Sequence, residues 1–145
     1  MVKQQGVIFQ EPNYTCPPTL GITADGKINI KYAEAKDGVI YGSDDPATVS
    51  DRTSTIWNVT SATSGYSLLV HKGMMYSEYT TLTANDGRWE ASDDDACKGR
   101  LVIGLTDNNK IYIYSCEGVY TTTGLTMKQV ATILRNFGCK EVMET

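Results

Sequence analysis

The chain reads as an α+β protein: mainly antiparallel β-sheet, with one C-terminal amphipathic helix, about Met127–Phe137, packed on it. Three observations predict this. Short alternating apolar runs are separated by turn sequences at Asp25-Gly26, Asp37-Gly38 and Asp107-Asn108-Asn109, the pattern of hairpins. A single stretch near the C-terminus carries apolar residues at helical spacing. With 145 residues, 41% apolar and 21% charged, the chain can bury a core without disulfide or metal staples. That length predicts one domain, residues 1–145.

Residues 1–17 are expected to be irregular, because Pro12, Pro17 and Pro18 limit strands there to short edge pieces. The stretch LGITADGKINIKYA predicts a hairpin, with Ile28, Ile30 and Tyr32 alternating after Asp25-Gly26. KDGVIYGS adds a turn and a short strand. DDPATVSDRTST reads as polar loop, and TIWNVTSA as a strand. SGYSLLVHKGMMYSE predicts a strand-turn-strand unit pivoting at Lys72-Gly73. The polar TLTANDGRWEASDDDACKGR is long for a connection without structure of its own, which marks a functional or unstructured loop. RLVIGLTDNNKIYIYSCEG is the clearest hairpin. Its first strand is nearly continuously apolar from Leu101 to Leu105, which predicts a central strand covered on both faces. The helix is signed by Thr126 as N-cap and Gln129 three residues on. Met127, Val130, Ala131 and Leu134 form its apolar stripe, Phe137 extends it, and Gly138 stops it.

A net charge of −4 argues against polymeric nucleic acid, which needs a basic footprint. Any anionic ligand must therefore be held by local groups. No run has the length of a membrane span or the shape of a signal peptide, so the expected location is cytoplasmic, away from membranes. Four scattered cysteines, Cys16, Cys97, Cys116 and Cys139, then read as reduced thiols. With His71 the only histidine and no CxxC pair, neither a metal nor any other cofactor is expected. The run Asp93-Asp94-Asp95 lacks the alternation of a calcium loop and reads as solvated.

Two places remain for anion chemistry. Arg100 opens the central strand, where a guanidinium can either grip a phosphate bidentately or pair with nearby carboxylates. Thr121-Thr122-Thr123-Gly124 leads into the helix, whose first amides favour anions, although threonines there also suit a capping turn. His71, at the end of an apolar strand and without an evident partner, reads as structural.

The order of these segments resembles the phosphodiester glycosidase family. SGYSLLVHKG is similar to a family strand running into a Lys/Asp-Gly turn. RLVIGLTDNNKIYIYSCEG resembles its Arg-Thr-Ala-Ile-Gly strand, hairpin and second strand ending in Asp-Gly. TTGLTMKQVATILRNFGCKEVME is similar to its Ser-Gly-Leu-Thr-Leu helix and Gly-Cys turn, and PTLGITADGKI to an upstream strand and turn. The likeness covers most of residues 18–145. It implies a domain that recognises a sugar phosphate or sugar phosphodiester and belongs among hydrolases of that bond. It matches Arg100, Gly104, Thr123, Gly124 and Leu125 to family positions and puts Glu117 where the family has aspartate; with Thr122 added from the helix entry, Arg100, Thr122, Thr123 and Gly124 are the expected ligand-binding residues and Glu117 the catalytic one. The family's Asp-Gly-Gly-Gly-Ser motif would follow Val142-Met143-Glu144-Thr145, where this chain stops.

Hydrolysis by these residues alone is therefore left open. The alternatives are a non-catalytic protein, such as a viral one, that sequesters a phosphorylated sugar or nucleotide, and a structural module reusing the fold. A final strand left at a sheet edge also predicts a homo-oligomer.

Overall fold

The computed structural model describes residues 2–5, 7–10, 17–44, 54–75, 97–118 and 123–145. Cys16, Thr122, the Asp93–Asp95 run and most of the two polar loops read from the sequence lie outside these. The chain divides into two compact units, Met1–Tyr66 and Ser67–Thr145.

The first unit holds a seven-stranded antiparallel sheet in the order β2-β1-β7-β3-β4-β5-β6. Its strands are β1 (Val2–Gln4), β2 (Val7–Gln10), β3 (Pro18–Thr23), β4 (Ile28–Lys36), β5 (Val39–Ser43), β6 (Thr55–Ile56) and β7 (Val59–Ser64). The start of the chain is more regular than its prolines suggested. Gln5, at φ 48°, turns β1 back into β2, and β1 pairs with β7 on its other side. TIWNVTSA is not one strand. It breaks at Trp57, whose amide donates to Ile40 O at 2.8 Å and whose carbonyl accepts from Val59 N at 2.8 Å.

The indole explains the break. Trp57 is buried with Ala33, Ile40, Val59 and Ala62, and it lies across two strands at glycines. A Cβ on Gly21 would fall 2.4 Å from Trp57 Cζ2, and one on Gly42 3.1 Å from Cε3. Two missing side chains thus make the slot that the ring fills, and close packing of this kind is felt at the scale of one methyl group.

At the β3–β4 turn the Thr23 hydroxyl donates to Asp25, and together with a Lys27 backbone contact this holds the carboxyl below the usual range. Since the shift is downward, that turn's stabilisation is present above the ordinary carboxylate pKa and lost as pH falls through the lowered one.

The second unit carries a five-stranded antiparallel sheet in the order β11-β10-β12-β8-β9. Its strands are β8 (Ser67–His71), β9 (Met74–Met75), β10 (Arg100–Thr106), β11 (Ile111–Cys116) and β12 (Cys139–Glu144), with helix α1 (Met127–Asn136) laid over β8, β9 and β12. Fold class, hairpins and helix agree with the sequence reading. Three details do not.

The last strand is not an edge. β12 is the middle strand, paired with β10 on one side and β8 on the other, so the ground for expecting subunits to join there disappears. Next, β10 is interior to the sheet, but one of its faces is covered only in part: along that face Leu101 is 47% exposed, while Leu105 is 6% exposed. Its apolar run is thus doubly covered towards Leu105 and loses the cover of one face only at Leu101. Finally, Phe137 leaves the core stripe. It is the C-cap residue, 59% exposed, and its ring stacks on Tyr112 with centroids 5.6 Å apart.

Met127, Val130, Ala131 and Leu134 are all buried against Leu69, Val70, Val102 and Val142. At roughly 1.5–3 kcal/mol for each large apolar side chain, this packing outweighs the marginal intrinsic stability of a ten-residue helix. Gly104 makes room for a side chain of the neighbouring strand under the helix, since a Cβ there would sit 2.6 Å from Cys139 Sγ and 3.4 Å from Leu134 Cδ1. Burial pushes the Cys139 thiol pKa up. Cys97 and Cys116 are also free thiols.

The capping box is complete: Gln129 N donates to Thr126 Oγ1 at 3.1 Å, and Thr126 N donates to Gln129 Oε1 at 2.9 Å. Thr126→Ala removes one acceptor from the exposed first turn. It is expected to lower stability by about 1 kcal/mol, read as a lower urea midpoint at unchanged slope.

Candidate functional site

The second sheet ends, at the start of β10, in a junction of three backbone segments. Lys98 and Leu125 exchange two hydrogen bonds, Lys98 N to Leu125 O at 3.3 Å and Leu125 N to Lys98 O at 3.1 Å. That bridge ties the approach to α1 onto the segment leading into β10. The end of β11 closes over the same place. Cys116 lies opposite Arg100 in the ladder, and Cys116 Sγ is 3.7 Å from Lys98 O.

Two glycines make this approach possible. A Cβ on Gly118 would stand 2.0 Å from Gly99 N and 2.8 Å from Thr123 O. One on Gly124 would stand 2.2 Å from Lys98 O. Real Cβ atoms do not approach backbone so closely, so the pairs Glu117-Gly118 and Thr123-Gly124 have a steric cause. Gly124 also sits at φ +114°, a conformation other residues rarely adopt.

Arg100 is fixed under this junction with 5% of its surface exposed. Its Nε donates to Leu125 O at 3.2 Å, and its Nη1 donates to Glu144 Oε1 at 2.5 Å. The register explains the partner. Val102 lies opposite Glu144 across β10–β12, so Arg100, two residues earlier, points to the same face and meets Glu144 diagonally. The guanidinium therefore holds the helix approach to the sheet, and the side chains of the ion pair are only 3% and 12% exposed.

The sequence-predicted residues stand as follows. Arg100, Glu117, Thr123 and Gly124 come together at this one end of the sheet, and Thr122 lies outside the described residues. Arg100 is buried and paired, whereas Glu117 and Thr123 are exposed. No hydrogen bond or ion pair from the Glu117 carboxylate reaches another described residue, so that group is available to solvent and ligand.

Two acids that sequence reasoning passed over organise the sheet. Glu144 partners Arg100. Glu141, on the opposite face of β12, takes His71 Nδ1 at 2.8 Å and the Lys72 amide at 2.9 Å. Their signal was visible as charges set into a strand whose neighbours, Val142 and Met143, are fully buried. An acid in such a place needs a partner, but the partner's identity depends on strand order.

A family model for phosphodiester glycosidase matches residues 1–144, running across both units. The chain belongs to the phosphodiester glycosidase family. Among solved structures it is similar to the zebrafish N-acetylglucosamine-1-phosphodiester alpha-N-acetylglucosaminidase catalytic domain auto-inhibited by its pro-peptide, with a TM-score of 0.69 and 18% identity. That superposition takes in 99% of this chain and 43% of the zebrafish one, so the phosphodiester glycosidase fold is shared and the chain spans less than half of that relative's length. A hypothetical protein from Synechocystis is more distant, with a TM-score of 0.46 and 14% identity over 93% of this chain and 29% of that one. No curated protein matches. Among the described residues, no helix is long and apolar enough to cross a membrane.

Proposed function

We propose that this phosphodiester glycosidase-family chain recognises a sugar phosphodiester at the junction of β10, β11 and the approach to α1, and that Glu117 is its acid–base residue. The supporting observation is the convergence there of an exposed carboxylate without a partner among the described residues, a hydroxyl and backbone groups beside the helix N-terminus, over a buried arginine. Hydrolysis of a glycosyl phosphate breaks the bond between the anomeric carbon and the phosphate oxygen. Water supplies the new oxygen, one proton leaves that water, and the departing phosphate carries the electron pair. A solvent-facing carboxylate at Glu117 can take the water's proton. Arg100, locked to Glu144 and Leu125, acts by position: it holds the helix approach, and with it Thr123 and Gly124, against the strand.

The closed Arg100–Glu144 pair favours a second reading, binding of a phosphorylated sugar or nucleotide without turnover, because a neutralised guanidinium offers less to developing charge. One assay separates the two. The p-nitrophenyl phosphodiester of N-acetylglucosamine is incubated with the chain, and free N-acetylglucosamine is measured beside thermal melting. The hydrolytic reading expects sugar release, reduced about 100-fold by Glu117→Gln with unchanged melting in the absence of ligand. A rise in melting temperature with no release supports binding alone. Neither release nor stabilisation overturns both readings.

A further inference from the structure

At the far end of β10 the second unit has another concave surface, and the geometry points to a second ligand site there, a platform for a neutral pyranose sugar. Arg100 and Thr106 bound the same strand, so at ~3.3 Å per residue the two places are about 20 Å apart. The hollow measures about 340 Å³ and is lined by Thr106, Asp107, Asn108, Lys110, Tyr112 and Phe137, with Gly138 at its margin. That volume lies at the lower end for small-molecule sites.

Two features select the ligand. Phe137 is 59% exposed although it is a large aromatic, and its ring is held by stacking on Tyr112 at an interplanar angle of 24°. An apolar ring fixed in this way and left open to water gains by covering its face. Around it stand groups that the fold leaves unspent. The turn uses the Thr106 hydroxyl and Asn108 Oδ1 on each other. No described residue bonds the Asp107 carboxylate or the Lys110 ammonium, and Asn108 keeps its amide donors for the rim. A flat apolar platform ringed by an acceptor, an ammonium and an amide matches a pyranose, which has a C–H face and a rim of hydroxyls that both donate and accept. The opposite charges of Asp107 and Lys110 suit a neutral polyol better than an anion, which Asp107 repels. This inference does not rest on the reaction proposed for Glu117, since the hollow contains none of those residues.

The test is an NMR titration of the whole chain with methyl glycosides of N-acetylglucosamine, glucose and mannose, and with adenosine monophosphate as the competing aromatic anion. Saturable shifts with at least one glycoside are expected at the amides of Asp107–Tyr112 and Gly138, with millimolar dissociation constants. Phe137→Ala, which removes a side chain outside the buried core, should weaken binding at least tenfold relative to the parent, while Phe137→Trp should preserve it. The proposal is overturned if no glycoside shifts these amides, if Phe137→Ala binds as tightly as the parent, or if the nucleotide is the only ligand bound.

Discussion

Arg100→Ala is expected to destabilise the second unit by about 3–5 kcal/mol. The loss has a specific origin. Both side chains of the Arg100–Glu144 pair are nearly inaccessible, so removing the cation leaves a carboxylate buried without its counter-charge. The same truncation frees Leu125 O from its guanidinium donor, which loosens the approach to α1. Replacing both partners together, as Arg100→Met with Glu144→Leu, should recover most of that loss, because no charge then remains stranded. Calorimetric melting of the four proteins checks this as a double-mutant cycle. At roughly 2–4 °C per kcal/mol, the single change should lower the melting temperature by about 10 °C. A single-mutant loss below about 1 kcal/mol, or a double mutant no better than Arg100→Ala, would show that the pair is not what holds this junction.

The second large effect is expected from one added methyl group. Gly118→Ala and Gly124→Ala should each cost about 4 kcal/mol or more, enough to reduce soluble yield. Both would push a Cβ into backbone at 2.0 and 2.2 Å, where no side chain can turn aside. Gly26→Ala is the control. Gly26, like Gly124, has positive φ, at 78°, but nothing lies within 4 Å of its ideal Cβ. Its cost should stay near 1 kcal/mol, the conformational term alone. If the three variants lose similar stability in urea denaturation, crowding is not what requires glycine at 118 and 124.

Much of the fold could be read directly because its signals are local. Asp25-Gly26, Asp37-Gly38 and Lys72-Gly73 are turns whatever lies beyond them. Thr126, Gln129 and the Met127–Leu134 stripe define the helix from residues within one or two turns of each other. What went wrong shares one cause: it depended on neighbours remote in sequence. Phe137 has the right spacing for the core stripe, but the helix ends one residue earlier and the ring falls onto Tyr112. The run from Leu101 to Leu105 looked doubly covered along its whole length, because an apolar residue at the exposed end of a face and one at its buried end are indistinguishable until the layers are known. Trp57 gave no sign that Gly21 and Gly42 would be its floor.

The candidate site divides the same way. Arg100, Glu117, Thr123 and Gly124 could be nominated from residue type and order along the chain. That Arg100 is closed onto Glu144 while Glu117 stays open could not, since a local pattern does not say which strand lies beside which.

By itself, then, the order of residues determined the class of fold, the turns, the capped helix and the family, all of which depend on short-range stereochemistry or linear motif order. Only the tertiary structure decided that the last strand runs through the middle of its sheet, that Glu141 and Glu144 have partners, and that Phe137 faces water. The partners of the two acids follow from strand pairing over separations of 70 and 44 residues, where the register of a ladder, and no nearby sequence, sets which side chains meet.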